Sequence, residues 1–380
     1  MKIGPYSVVA IQTKQKVFKK RSDNKAILDR LSDLIGFAMR YWDMQIPCKL
    51  VAAPEFLFSG SGSAFGYTRE DYLKLAITIP GEETEYLGKE CKKYGIYFAA
   101  AAQEIDPEWT DRFFNTGFII SPEGKVILKY HKMNTMTNIV EYSMSPHDMM
   151  SRYKEKYGWD LKSLFPVVET EIGRLGIFTC YDRMFPEVTR ALAVNGAEVL
   201  IHPNAWIEPF ASFPTDWWTT INRVRAIENI VYIVAPDRGA IDWPHLPEYF
   251  SPGLSQIVDY KGNLLSQCQY PGEGVCGAPI NIEELRHYRE TTLLWNHIGQ
   301  IRSEAYRQIY EEQFWPPDSF AEKPAESWND IAPIQRKTTE KLIKRGTYKK
   351  QNSAENHNSL LLRNSSKRER DKNGTNPAGS

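Results

Sequence analysis

Gly176-Ile177-Phe178-Thr179-Cys180-Tyr181-Asp182-Arg183-Met184-Phe185-Pro186-Glu187 joins an apolar run to a helical pattern through a short polar turn. Leu175 to Phe178 reads as a buried strand that stops at a cysteine. Pro186 suits a first helical position, Glu187 suits the positive end of a helix, and Val188, Leu192 and Ala193 supply the apolar stripe. A thiol at the tip of a strand and facing a helix sits where a rigid scaffold can present a nucleophile. A buried structural cysteine fits the same local sequence, so the rest of the chain has to separate the two.

Outward from this unit, strands and helices alternate. Towards the N-terminus, Tyr6 to Gln12 predicts a strand, Ala26 to Trp42 an amphipathic helix, and Leu50 to Ala53 a short strand ending at Pro54-Glu55-Phe56. A flexible loop follows at Ser59 to Ser63, then helices over Tyr72–Ile79 and Glu83–Tyr94 and a small apolar strand over Ile96–Ala102. Asn115–Ile120 and Lys125–Tyr130 form a hairpin around Pro122-Glu123-Gly124, with Lys132 just beyond it. Thr135 to Tyr157 is Met-rich and reads as a long loop with a helical piece. Beyond the cysteine, Asn195-Gly196 closes a helix, and Val199–His202 is a strand. Trp217–Asn229 is a helix, Ile230–Ala235 a strand, and Gln256–Asp259 with Asn263–Leu265 a second hairpin. This alternation places the chain in the α/β class.

The 380 residues hold 47 basic and 47 acidic side chains. Of these, 12 Lys/Arg and 4 Asp/Glu fall between Arg336 and Ser380, so a tail of net +8 follows a body of about −8. The expected organisation is one domain over residues 1–290, an extension at 291–335 that packs on the body or on a partner, and a basic, disordered tail at 336–380. Five scattered cysteines without a CxxC pair argue against a zinc site or a disulfide framework and fit a reduced, cytoplasmic setting. The N-terminus lacks a signal-peptide core, and apolar runs are too short for a membrane span. Tyr348 is the tail's one aromatic residue, which leaves little for base stacking and makes nucleic acid a poor candidate partner.

Glu55, Lys132 and Cys180 each follow directly on an apolar strand, and strand ends in α/β folds converge on one rim. A carboxylate, an ammonium and a thiol meeting there form an acyl-transfer set. Glu can take the thiol proton, and Lys can stabilise the oxyanion. Taken singly, an exposed loop carboxylate and a solvated lysine are the more ordinary explanations of Glu55 and Lys132.

At this point the sequence resembles the nitrilase superfamily of carbon–nitrogen hydrolases. The likeness rests on Ser7–Gln12, Ala53-Pro54-Glu55-Phe56, Asn115–Gly124 leading into Lys129-Tyr130-His131-Lys132, and Gly176–Glu187. Asn195-Gly196-Ala197-Glu198, Arg225–Asn229 and Ile257–Gly262 follow in family order, so it covers residues 5 to 285. The resemblance implies a four-layer α-β-β-α sandwich with Glu55 as general base, Cys180 as nucleophile and Lys132 as oxyanion stabiliser beside the N–H of Tyr181. It implies Glu141 as a second glutamate, although a surface role fits that position too. It also implies amidase-type hydrolysis without metal or organic cofactor, and a homodimer or larger homo-oligomer.

Nitrilases proper place Trp-Glu after the cysteine, whereas Tyr181-Asp182 here resembles amidases and N-carbamoyl-amino-acid hydrolases. Amide or N-carbamoyl substrates are therefore expected ahead of nitriles, with Arg183 able to hold a substrate carboxylate or, equally, a structural one. Phe56, Tyr142, Trp206 and Trp217 are candidate pocket walls, and Met133, Met136, Met144, Met149 and Met150 a candidate adaptable wall. His131, His147 and His202 are expected to be structural or pocket-lining. An inactive nitrilase-like assembly module is the non-enzymatic alternative, disfavoured by the intact Glu55, Lys132 and Cys180.

Overall fold

The computed structural model describes residues 2–16, 18–44, 46–60, 66–136, 141–208, 211–212, 214–242, 247 and 250–350. The first half of the chain gives β1 (Tyr6–Gln12), a two-residue β2 (Gln15–Lys16), β3 (Cys48–Ala52), β4 (Tyr97–Glu104), β5 (Phe114–Ile120) and β6 (Val126–His131). The second gives β7 (Val167–Thr170), β8 (Gly173–Ile177), β9 (Val199–Ile201), β10 (Tyr232–Ala235), a two-residue β11 (Ile241–Asp242), β12 (Gln256–Val258), β13 (Leu264–Gln267) and β14 (Gly274–Ile280). Between them run α1 (Asn24–Trp42), α2 (Arg69–Leu75), α3 (Glu82–Tyr94), α4 (Met150–Tyr157), α5 (Leu161–Leu164), α6 (Pro186–Val194), α7 (Trp217–Asn229), α8 (Ile282–Thr291), α9 (Ser303–Tyr306) and α10 (Trp328–Arg345).

The longer strands form two six-stranded sheets, ordered β14-β1-β3-β4-β5-β6 and β13-β12-β10-β9-β8-β7. β1, β3 and β4 are parallel, as are β8, β9 and β10, and antiparallel strands flank each trio. Alternation along β1 shows how four layers arise. Val8 and Ala10 share a core with Leu175, Ile177, Val199 and Ile201 of the second sheet. Val9 and Ile11 point the other way, into a second core with Leu31 and Ile35 of α1 and Leu87 and Cys91 of α3. Leu192 of α6 and Trp218 and Ala226 of α7 pack on the second sheet. The result is the α-β-β-α sandwich, and a sheet covered on both faces explains why β1, β4 and β5 are buried at every residue.

Gly117 matters to the closeness of the sheets. A Cβ placed there would sit 3.0 Å from the Ile177 side chain, so glycine lets β5 and β8, two site-bearing strands, approach.

The strands that lead to Glu55, Lys132 and Cys180 lie where the sequence predicts them, within a residue or two. The predicted helix over Tyr72–Ile79 lies earlier, at Arg69–Leu75. There the Thr68 side chain caps Asp71 N–H and fixes the start. Strands β7 and β14 and helix α8 were not anticipated, because their sequences lack a clean apolar period. Residues 291–334 fall in the same compact unit as the preceding chain, and residues from Gln335 onward are grouped separately. α10 runs through the expected boundary at 335/336, so residues 336–345 are helical rather than disordered. Ser61–Ser63 of the expected flexible loop, and the tail from 351, lie outside the described residues.

Candidate active site

β3, β6 and β8 deliver three side chains to one buried point. Lys132 Nζ lies 2.9 Å from Glu55 Oε1 and also pairs with Glu141 Oε1. Glu141 is held by three further donors, Met136 N–H at 3.2 Å, Asn115 Nδ2 at 2.9 Å and the Ser143 hydroxyl. The other Asn115 contact reaches Glu55 Oε1 at 2.7 Å, while Glu55 Oε2 is buried without a partner. Glu55, Lys132, Glu141 and Cys180 expose 1%, 1%, 0% and 4% of their surfaces, so their charges act in a medium far less polarisable than water.

Cys180 opens a 3₁₀ turn, Cys180–Met184, in a left-handed conformation with φ 48°, and Phe56 beside Glu55 has φ 55°. Such geometry costs about 1–3 kcal/mol per residue and persists only where neighbours enforce it. Here Cys180 N–H donates to Pro203 O at 3.0 Å. Its carbonyl accepts from Arg183 Nη1 at 2.9 Å and from His202 Nε2 at 3.2 Å. His202 is stacked on Phe178, and burial holds its ring down to about 3, so it braces the turn as a neutral donor.

Burial pushes the Cys180 thiol up to about 12, with the Glu55 charge adding and the Lys132 charge opposing. Burial likewise raises Glu55, against the pull of Lys132 and with help from Glu141. Burial disfavours the Lys132 ammonium, yet the anionic groups around it, the Cys180 sulfur once ionised and the Glu141 and Glu55 carboxylates, outweigh it and hold the lysine well above its ordinary range. The set is thus a thiol held neutral by burial beside a carboxyl whose proton affinity burial also raises.

Asp182 and Arg183, just after Cys180, face inward. Asp182 accepts from Tyr130 Oη at 2.8 Å, Asn134 N at 2.8 Å and Thr179 N at 3.2 Å. It ties the cysteine turn to residues on either side of Lys132, and burial raises its carboxyl to about 6. Arg183 lies 3.5 Å from the centroid of the Trp206 ring, and its Nη1 also donates to Asn204 Oδ1 at 2.9 Å. Its Nε and Nη2 are buried without partners. Asn204 and the Trp206 N–H in turn converge on Asp237 Oδ1.

Of the expected walls, Phe56 lies under Lys132 (5.9 Å from Nζ to the ring centroid), and Trp206 covers Arg183. Tyr142 packs on Tyr72. Trp217 is solvent-exposed at the start of α7, and the buried member of the pair is Trp218, ringed by His202 and donating to Leu254 O. Met144 and Met149 fill a separate core with Phe320 and Ile331. His131 bonds Tyr153 and Glu104, away from the thiol. Sequence reasoning passed over Asn115, Asn204 and Asp237. Asn204 and Asp237 follow β9 and β10 as Glu55 follows β3, and that position was the available signal.

The two stacked sheets, helical outer layers and strand-end thiol define a member of the nitrilase superfamily. A family model described as carbon-nitrogen hydrolase matches residues 7–290, and the chain belongs to that family. A formamidase of Bacillus thuringiensis (strain Al Hakam) is 28% identical over 220 residues, and the chain spans 58% of that relative's length, the match covering 58% of this chain. Among solved structures, Saccharomyces cerevisiae Nit3 superposes with a TM-score of 0.60 at 25% identity, over 76% of this chain and 95% of that one. An amidase from Nesterenkonia sp. AN1, carrying the acetamide moiety of fluoroacetamide covalently on its active-site cysteine, superposes at 0.58 and 17% identity, over 80% of this chain and 96% of that one.

Proposed function

We propose that this protein hydrolyses the C–N bond of a small amide through a Cys180 thioester. The observation that carries this reading is the buried Lys132 ammonium bridging Glu55 and Glu141 beside the thiol, with Glu55 Oε2 left without a partner. Cys180 Sγ attacks the amide carbon while its proton passes to Glu55. Two of the three Lys132 N–H groups serve the carboxylates, leaving the third, with the Tyr181 N–H, for the tetrahedral oxyanion. As the C–N bond breaks, Glu55 returns the proton to nitrogen and ammonia or an amine departs. Water, deprotonated by Glu55, then cleaves the thioester and releases the carboxylic acid.

Formamidase relatives and the enclosed site favour a short acyl chain. A second reading, an N-carbamoyl amino acid, is favoured by the two unpartnered donors of Arg183, which match a carboxylate. The same reading carries homo-oligomeric assembly, supported by Trp217, Val224 and Ile227 exposed along one side of α7 and tested by the mass in light scattering.

The test is ammonia release from formamide, longer aliphatic amides, N-carbamoyl amino acids and nitriles, beside Cys180→Ala. Turnover of at least one amide and none by the variant is expected. Activity surviving without Cys180, or silence of the wild type across the panel, overturns the proposal. If Arg183 reads a carboxylate, Arg183→Ala raises KM for carboxylated substrates alone. If it only braces the turn, kcat falls for all.

A further inference from the structure

We infer that Asn115 is a positioning residue that keeps the two active-site carboxylates in separate roles, an inference that rests on the hydrolase reading above. Asn115 stands on β5 with its carbonyl accepting from the Lys132 N–H at 2.9 Å, so asparagine and lysine are neighbours across the hairpin. Its side chain is fully buried, and Nδ2 donates to Glu55 Oε1 at 2.7 Å and to Glu141 Oε2 at 2.9 Å. The amide orientation is fixed, because the flipped form would set an oxygen against two carboxylates. Oδ1 is left buried and unpartnered as a consequence.

Two carboxylates around one lysine, out of water, would ordinarily share a proton between them. A shared proton would occupy the base that Cys180 needs. Asn115 supplies the donors such a proton would supply, while carrying no charge and no titration of its own. It also engages the Glu55 oxygen already bound by Lys132, which leaves Oε2 as the free one. The other charged or titratable groups acting on Glu55 are Lys132 and Cys180, with Arg183 and Arg238 of the second sheet's loops farther off.

The test reads the thiol directly. Iodoacetamide alkylates a cysteine as sulfur displaces iodide from carbon and the thiol proton leaves to a base, here Glu55. The labelling rate of Cys180, followed by mass spectrometry against pH with Cys180→Ala as background, is compared in the full chain for wild type, Asn115→Leu, Glu141→Gln and the double variant. Asn115→Leu is expected to slow labelling at neutral pH about tenfold and to move the rise of the rate upward by about one pH unit. In the Glu141→Gln background, with one carboxylate gone, the same substitution should leave the profile in place. If Asn115→Leu does not fold, Asn115→Ala makes the same comparison. An unmoved profile, or an equal shift in both backgrounds, assigns Asn115 to packing and overturns the inference while the hydrolase site stands. Labelling unchanged in Cys180→Ala overturns the site itself.

Discussion

At the residue scale the site is governed by burial. On the proposed mechanism, a thiol pushed up to about 12 holds no appreciable thiolate at neutral pH, so its attack is expected to pass the proton to Glu55 in the same step. Burial also raises Glu55, so if it is the base the acid limb of kcat/KM is expected above the ordinary carboxylate value of 4.5. Below that limb Glu55 is protonated and the rate falls with the free base. Glu55→Gln keeps an oxygen for Lys132 and removes the base, and should lower kcat about 10²–10⁴-fold while flattening the acid limb. A pH–rate profile of the variant that keeps the wild-type limb would assign the base elsewhere. Glu55, Lys132 and Cys180 stand out in the sequence because each comes just after an apolar strand. Asn115 does not, since a polar residue inside a strand signals only that it is satisfied. Asp182 was read for specificity, yet the fold spends it on joining two loops.

At the scale of elements, α-helices and strands with clean periods were readable, whereas β7 and β14 were not, because edge strands carry mixed polarity. Gly117 is a strand residue whose meaning appears only when the sheets meet. Gly117→Val should press on Ile177 and destabilise the fold by about 1–3 kcal/mol in chemical denaturation. A neutral result would mean that the sheets part freely there. The short helical turn Pro146–Met149 presents Asp148, which is buried and whose carboxylate accepts from Ser145 N and Trp315 Nε1. Burial raises this carboxyl from 3.8 to about 6. The folded state therefore binds the proton more tightly than the unfolded chain. The stabilisation is complete below about 3.8 and is lost as pH rises through 6. Asp148→Asn, which keeps an acceptor for Trp315, should gain on the wild type across that window by at most about 3 kcal/mol. Denaturation curves at pH 4, 5, 6 and 7 that stay parallel for the two proteins would rule this out.

At the scale of the molecule, the four layers follow from strand alternation and were implied by the order of motifs, but the fate of residues 291–334 was not. Their apolar residues are as frequent as elsewhere in the chain but irregularly spaced and broken by proline, so no period announces them, and only the folded partner shows their use. The segment from Trp315 to Ile331 closes a core over Trp109, Phe114, Met144 and Met149. It supplies the Phe320 and Ala321 carbonyls that receive the buried guanidinium of Arg112. Arg112 stands three residues before Asn115 on the way into β5, so the extension anchors the strand that orients Glu55 and Glu141. Ending the chain before Trp315 uncovers this core and strips Arg112 of those acceptors. A drop in Tm of about 5 °C or more is expected, with kcat falling further than residual folding explains, as Asn115 loses its support. Arg112→Met separates the two effects. It fills the same space without a charge to satisfy, and should restore much of the Tm in the shortened chain while leaving kcat low. If the shortened chain instead keeps both Tm and kcat, the extension is an appendage and the site is held by the sandwich alone.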